Sequence, residues 1–199
     1  MEKVKIAVLV SGGGTNLQAI FDACDSGLIT SGQVELVIAS NDRAYALKRA
    51  EARGVRTLVC SKKELGSQQA AEQAMIRAIR DCGVGLVVLA GYLSILSGEF
   101  IRHFEGKIIN IHPSLIPAFC GVGCYGLEVH RQALARGVKV TGATVHYVNQ
   151  IPDGGPIIAQ KAVAVQQGDT PETLQRRVME QAEWIILPAA IQQICAGAE

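Results

Sequence analysis

Apolar residues follow two different spacings along this chain. Short runs without polar alternation occur at Lys5–Val10, Val34–Ala39, Thr57–Cys60, Gly85–Leu89 and Lys107–Ile111. Between them the spacing turns helical. Leu17, Ile20, Phe21 and Cys24 recur at three and four residues from Thr15 onward, and Gly27 is placed to stop that helix. Ala44–Arg53 reads as a short helix closed by Gly54, Lys63–Cys82 as a long one stopped by Gly83, and Ser97–Phe104 as a short segment. The first 111 residues therefore read strand–helix five times over. Uniformly apolar strands separated by helices imply a parallel sheet covered on both faces. Right-handed crossovers then make it an open, doubly wound, Rossmann-like α/β sheet.

The pattern changes after residue 111. A Gly-rich loop, Ala118–Gly126, leads into a helix at Leu127–Arg136. Two extended segments, Thr141–Val148 and Pro156–Val165, are joined by "NQIPDGG" and predict a hairpin-like, mixed or antiparallel addition at the sheet edge. Asp169-Thr170-Pro171-Glu172 is a helix start signal and opens a closing helix, Pro171–Ile194. No repeat, low-complexity stretch or linker divides the chain, so residues 1–199 read as one domain with a parallel half (1–111) and a second half (112–199).

Composition narrows the function classes. The chain is 49% hydrophobic and 19% charged, with a formal charge of +1. That balance carries no electrostatic footprint for nucleic acid or an anionic membrane. The most apolar stretch, Val84–Leu96, is broken by Gly91 and Ser94 and falls short of the ~20 residues that span a bilayer. Strand-like residues begin almost at once after Met1, which does not read as a signal peptide. Six scattered cysteines suggest reduced thiols in a cytoplasmic protein rather than a disulfide framework. Cys120 and Cys124, the one close pair, lack the second pair that a zinc site needs.

Three places carry candidate chemistry. In "VLVSGGGTNLQAI" (residues 8–20) a buried strand runs into three glycines and then a helix start. Glycine lets a ligand approach the backbone N–H groups, and the helix start adds free donors and partial positive charge. Gly12, Gly14, Thr15 and Asn16 thus form a candidate phosphate site. It is not a Walker loop, and Leu17 stands where a dinucleotide fingerprint needs its third glycine. The plain alternative is a tight turn that binds nothing.

The second place is "KIINIHPSLIP" (residues 107–117). Asn110 and His112 alternate with Ile109 and Ile111, so they face the same way, and Pro113 ends the strand. An amide beside an imidazole at the ligand edge of a sheet suits a carbonyl oxygen that becomes negative. Taken alone, Asn-x-His-Pro reads equally as a strand cap and a satisfied histidine. The third place is "TVHYVNQIPDGGPII" (residues 144–158), where Asp153 lies in turn chemistry and His146 reads as a core or edge histidine. A carboxylate near His112 would raise its pKa. Metal binding by His112, His146 and Asp153 ranks lower, since no pair has the i,i+4 spacing of a metallohydrolase motif.

These motifs occur in one order with "LAGYLSILS" (89–97), "INIHPSLIPAF" (109–119), "TGATVHYVNQIPDGGPIIAQ" (141–160) and "QAEWIILPAAI" near the end. Across almost its whole length the chain resembles the phosphoribosylglycinamide formyltransferases, a branch of the folate-dependent formyltransferases. The resemblance implies catalytic roles for Asn110, His112 and Asp153. It implies that Gly12, Gly14, Thr15 and Asn16 hold the substrate phosphate and that Glu183 binds the ribose hydroxyls. Leu93, Ser94, Ile95 and Leu96, with Asn110 and the loop residues Gln150, Ile151, Pro152 and Gly154, would contact the folate. The implied reaction moves the formyl group of 10-formyltetrahydrofolate to the amine of 5′-phosphoribosylglycinamide in purine synthesis. A protonated His112 would stabilise the oxyanion, and Asp153 would help pass a proton through water. No metal is implied, because the acceptor is already an amine. The implied partners are these two small molecules, with no nucleic acid or membrane, and the implied assembly is a monomer or homodimer. The chain departs from the family at Leu93-Ser94, where members often carry Met-Arg, and at Ser67-Gln68, where they often carry a basic residue. Its loop "AFCGVGCYGLEVH" is longer than in some members. A formyltetrahydrofolate hydrolase, a formyltransferase acting on another amine, and a non-catalytic phosphometabolite-binding module remain the competing readings.

Overall fold

The computed structural model describes residues 2–197. One seven-stranded sheet runs through it in the order β3-β2-β1-β4-β5-β6-β7. Strands β1 (Val4–Val10), β2 (Gly32–Ala39), β3 (Arg56–Val59), β4 (Leu86–Leu89) and β5 (Ile108–His112) are parallel. Strands β6 (Val140–Tyr147) and β7 (Ile157–Ala164) add antiparallel to β5 and to each other.

The unbroken apolar runs are explained by cores on both faces. From β1, Ile6, Val8 and Val10 pack on one side with Leu17 and Ile20 of α1 (Thr15–Asp25) and Leu187 and Ile191 of α8 (Trp184–Cys195). Ala7 and Leu9 face the other side, against Met75 and Ile79 of α4 (Gln68–Asp81) and Phe100 of α5 (Gly98–His103). Burial of each large side chain contributes roughly 1.5–3 kcal/mol, which a polar residue at any of these positions would forfeit. Helix α2 (Tyr45–Glu51) precedes β3, and α6 (Leu127–Arg136) precedes β6. Among the described residues no helix is long and apolar enough to cross a membrane, and all six cysteines are free, Cys120 and Cys124 included.

Two predicted helices differ. The expected Lys63–Cys82 helix is two, α3 (Lys62–Leu65) and α4. Gly66 adopts φ 83 between them, and Ser67 caps α4 by accepting from the Ala70 N–H at 3.0 Å. The expected Pro171–Ile194 helix is α7 (Pro171–Val178), a π turn at Met179–Glu183, and α8. The wider turn carries Glu183.

Candidate active site

Strand order reverses at β1, with β2 and β3 on one side and β4 and β5 on the other. Loops leaving the C-terminal ends of strands part at such a point and leave a crevice. Ser11, just past β1, ties its base together. Its N–H donates to Gly91 O at 3.1 Å, and its hydroxyl oxygen accepts from the Leu93 N–H at 2.9 Å and the Ser40 hydroxyl at 2.8 Å. A cleft of about 590 Å³ opens above it, reaching from Asn16 and Glu183 to Asn110, His112 and Asp153.

At one end, β5 supplies Asn110 and His112 on one face, and the antiparallel register sets His146 of β6 directly opposite Asn110. Asp153 enters from the turn between β6 and β7. The His112 Nε2–H donates to Phe119 O at 2.8 Å, while Nδ1 lies 3.6 Å from Asp153 Oδ2, too far for a direct hydrogen bond. Asp153 Oδ2 accepts from the Gly121 N–H at 2.8 Å. Its Oδ1 lies 3.4 Å from Asn110 Nδ2 and 3.5 Å from His146 Nε2. Among the described residues, Phe119 (φ 51) and Asp153 (φ 53) are the two non-glycine residues with left-handed backbone, and both contact His112. Strain of this kind costs on the order of 1–3 kcal/mol per residue and concentrates at functional positions.

Burial lowers the His112 pKa below its ordinary value, outweighing the upward pull of Asp153 and the Phe119 carbonyl. Asp153 pulls the pKa upward, as expected, but the net shift is down: at 3.6 Å the carboxylate does not compensate for desolvation of a residue that is 4% exposed. Burial pushes Asp153 up, yet its contacts with His146 and His112 and the Gly121 N–H together hold it below the usual carboxylate range. This end of the cleft pairs a neutral imidazole with a carboxylate anion.

At the other end, α1 begins at Gly14, whose φ is 72. A Cβ there would meet the Ala46 Cβ at 2.6 Å, so both the backbone and the packing demand glycine. Gly12 and Gly13 face open space, and Arg49 Nε fixes the loop by donating to Gly13 O at 2.8 Å. The first bond of the α1 ladder is Gln18 N–H to Gly14 O at 2.9 Å, which leaves the N–H groups of Thr15, Asn16 and Leu17 without a helical partner. Asn16 Nδ2 donates to Glu183 Oε2 at 2.7 Å, and its Oδ1 is buried without a partner. Burial raises the Glu183 carboxyl to about 7 against the single opposing bond from Asn16. Asn16 and Glu183 line the cleft, while Gly12 and Gly14 in the loop entering α1, and Thr15 at its first position, are not part of its wall.

Leu93, Ser94, Ile95 and Leu96 line the cleft opposite Gln150, Ile151 and Pro152. Gly154 is not part of its wall. It donates to Ile151 O at 2.9 Å, where a Cβ would collide with the Ile151 side chain. Among the described residues no group of three His, Cys, Asp or Glu is arranged to hold a metal ion.

Sequence reasoning missed Phe119, Gly121 and Ser11. The 118–126 loop, unassigned from sequence, grips His112 through Phe119 and Asp153 through Gly121, and Gly121–Gly126 lines the cleft. Its only advance signal was three glycines, each of which adopts a positive φ.

A profile of the formyl transferase family matches residues 4–191. The phosphoribosylglycinamide formyltransferase of Escherichia coli (strain K12) is 39% identical over 194 residues, covering 98% of this chain and 88% of that protein. The trifunctional purine biosynthetic protein adenosine-3 of Gallus gallus is 43% identical over 98% of this chain, which spans only 19% of that relative's length. The crystal structure of glycinamide ribonucleotide transformylase 1 from Symbiobacterium toebii superimposes with a TM-score of 0.91 at 46% identity, covering 98% of this chain and 89% of that one. A match over nearly the whole chain, joined to likeness in both sequence and fold, places the protein: it belongs to the formyl transferase family.

Proposed function

We propose that this chain transfers the formyl group of 10-formyltetrahydrofolate to the amine of 5′-phosphoribosylglycinamide, as a cytoplasmic enzyme of purine synthesis. The observation that carries this reading is one cleft that runs from the Asn16–Glu183 pair, beside the start of α1, to the Asn110–His112–Asp153 cluster. The α1 start and the backbone at Gly12–Asn16 hold the phosphate. Glu183, positioned by Asn16, takes the ribose hydroxyls. Leu93–Leu96 and Gln150–Pro152, with the turn Gly154 permits, flank the folate. Anchoring the phosphate far from the reacting centre makes attack effectively unimolecular.

The amine nitrogen attacks the formyl carbon, and the carbonyl electron pair moves to oxygen. Asn110 Nδ2 donates to that oxyanion, a contribution of roughly 3–4 kcal/mol to the barrier. The neutral His112 ring carries its proton on Nε2, so Nδ1 accepts the proton released by the attacking nitrogen. The resulting imidazolium lies between the Phe119 carbonyl and the Asp153 carboxylate and adds its charge to the stabilisation of the oxyanion. Collapse of the tetrahedral carbon reforms the C=O bond, breaks the bond to N10 and returns the proton from Nδ1 to N10. This differs from the order implied by resemblance, in which His112 starts protonated.

The test is an assay with both substrates and with water as the control acceptor. Formylated amine forming at the rate of folate deformylation supports the proposal. Deformylation without the amine would make the chain a hydrolase, and binding without turnover would make it a phosphometabolite-binding module.

A further inference from the structure

His146 is buried, at 1% exposure, and its ring does not fit the role of a filler. Its Nδ1 lies 2.8 Å from Tyr147 O, an acceptor, so Nδ1 carries a proton. In the neutral ring Nε2 is then an acceptor; it lies 3.2 Å from Asn110 Nδ2, within hydrogen-bond reach, and 3.5 Å from Asp153 Oδ1, with which it makes no hydrogen bond. The same Asn110 nitrogen is 3.4 Å from Asp153 Oδ1. The carboxamide thus spans two acceptors with its two protons. Turned over, it would set its oxygen against the His146 lone pair and the Asp153 carboxylate, three acceptors with no proton between them. A His146 cation would do the reverse, placing a second donor against the amide nitrogen and drawing the amide oxygen toward it. The β5–β6 register holds the two side chains together, since Asn110 and His146 are directly paired.

We propose that His146 is a positioning residue that reads out its own tautomer onto Asn110. With Nδ1–H on the Tyr147 carbonyl, its Nε2 anchors one amide proton, so that the second is held toward the reacting oxygen. The 3.4 Å contact to Asp153 is the longer of the two, and its proton is the one that swings to an incoming oxygen. The inference rests on the reaction proposed above, in which Asn110 donates to the oxyanion.

Steady-state kinetics of His146→Leu and His146→Gln test it, beside wild type. Leu removes the acceptor, and the amide loses its orientation. We expect kcat to fall about 30- to 100-fold, with KM for both substrates within about twofold, as for partial loss of an oxyanion donor. Gln keeps an acceptor oxygen and restores kcat to within about fivefold of wild type. ¹⁵N imidazole NMR of the folded wild type, which needs no turnover, shows Nδ1–H at His146. Full activity in His146→Leu with an unchanged melting temperature overturns the inference, as does an Nε2–H tautomer. If both variants fail to fold, the NMR tautomer decides alone. A wild type that transfers no formyl group fails the parent reading instead.

Discussion

The two ends of the cleft set the same residue types in opposite electrostatic surroundings. Each sets an asparagine against a carboxyl, Asn16 with the buried Glu183 and Asn110 with the part-buried Asp153. Glu183 has one donor, and burial lifts its pKa to about 7. Asp153 has a backbone N–H and two imidazoles around it, and its pKa falls below the ordinary value despite burial. A carboxyl that shares its proton near neutrality suits sugar hydroxyls, which both donate and accept. A carboxylate kept anionic suits an imidazole that must become a cation. Deeper burial with a single donor raises Glu183, whereas shallower burial with more polar neighbours lowers Asp153.

Breaking the reacting end should have the largest effect. Asp153→Asn keeps the shape but removes the charge that, in the proposed mechanism, stabilises the His112 imidazolium. Steady-state assays should show kcat about a thousandfold lower, or about 4 kcal/mol, with ribonucleotide binding by calorimetry little changed.

Glu183→Gln addresses the anchoring end, with a smaller effect of a different kind. The folded Glu183 holds its proton up to about pH 7, whereas an unfolded one loses it near 4.5. Its favourable contribution is complete below pH 4.5 and is lost as pH rises through 7, a change of roughly 3 kcal/mol. The Gln variant lacks that loss. Urea unfolding should find it more stable than wild type at pH 8 and equal at pH 4.5, while ribonucleotide binding weakens about tenfold through the lost hydroxyl acceptor. Equal stability at both pH values would contradict the raised pKa.

Much of this architecture is legible in residue order. Five apolar runs between helical patterns foretold the parallel strands, and "NQIPDGG" foretold the β6–β7 turn. Gly66-Ser67, a helix stop followed by a cap, was also readable but is masked by helical spacing on either side. The π turn at Met179–Glu183, which lies against β6 and β7, has no comparable local signal. At the site, alternation placed Asn110 and His112 together. No spacing rule reports that Phe119 O and the Gly121 N–H reach His112 and Asp153, since those contacts belong to backbone atoms that every residue has. Nor does spacing report desolvation, which turned the His112 shift downward.

Gly14→Ala gives the smallest effect. The added methyl meets Ala46 and sits on a left-handed backbone, and differential scanning calorimetry should register about 1–3 kcal/mol of destabilisation. Ribonucleotide affinity should fall while folate affinity holds; equal loss of both would merge two ends that the structure keeps apart.

The division between an anchoring end and a reacting end is tested most directly by His112→Ala, followed by calorimetric titration with phosphoribosylglycinamide and single-turnover formyl transfer on the same preparation. The account predicts a dissociation constant within about threefold of wild type and transfer slowed about a thousandfold or more. Affinity lost while transfer persists would contradict it.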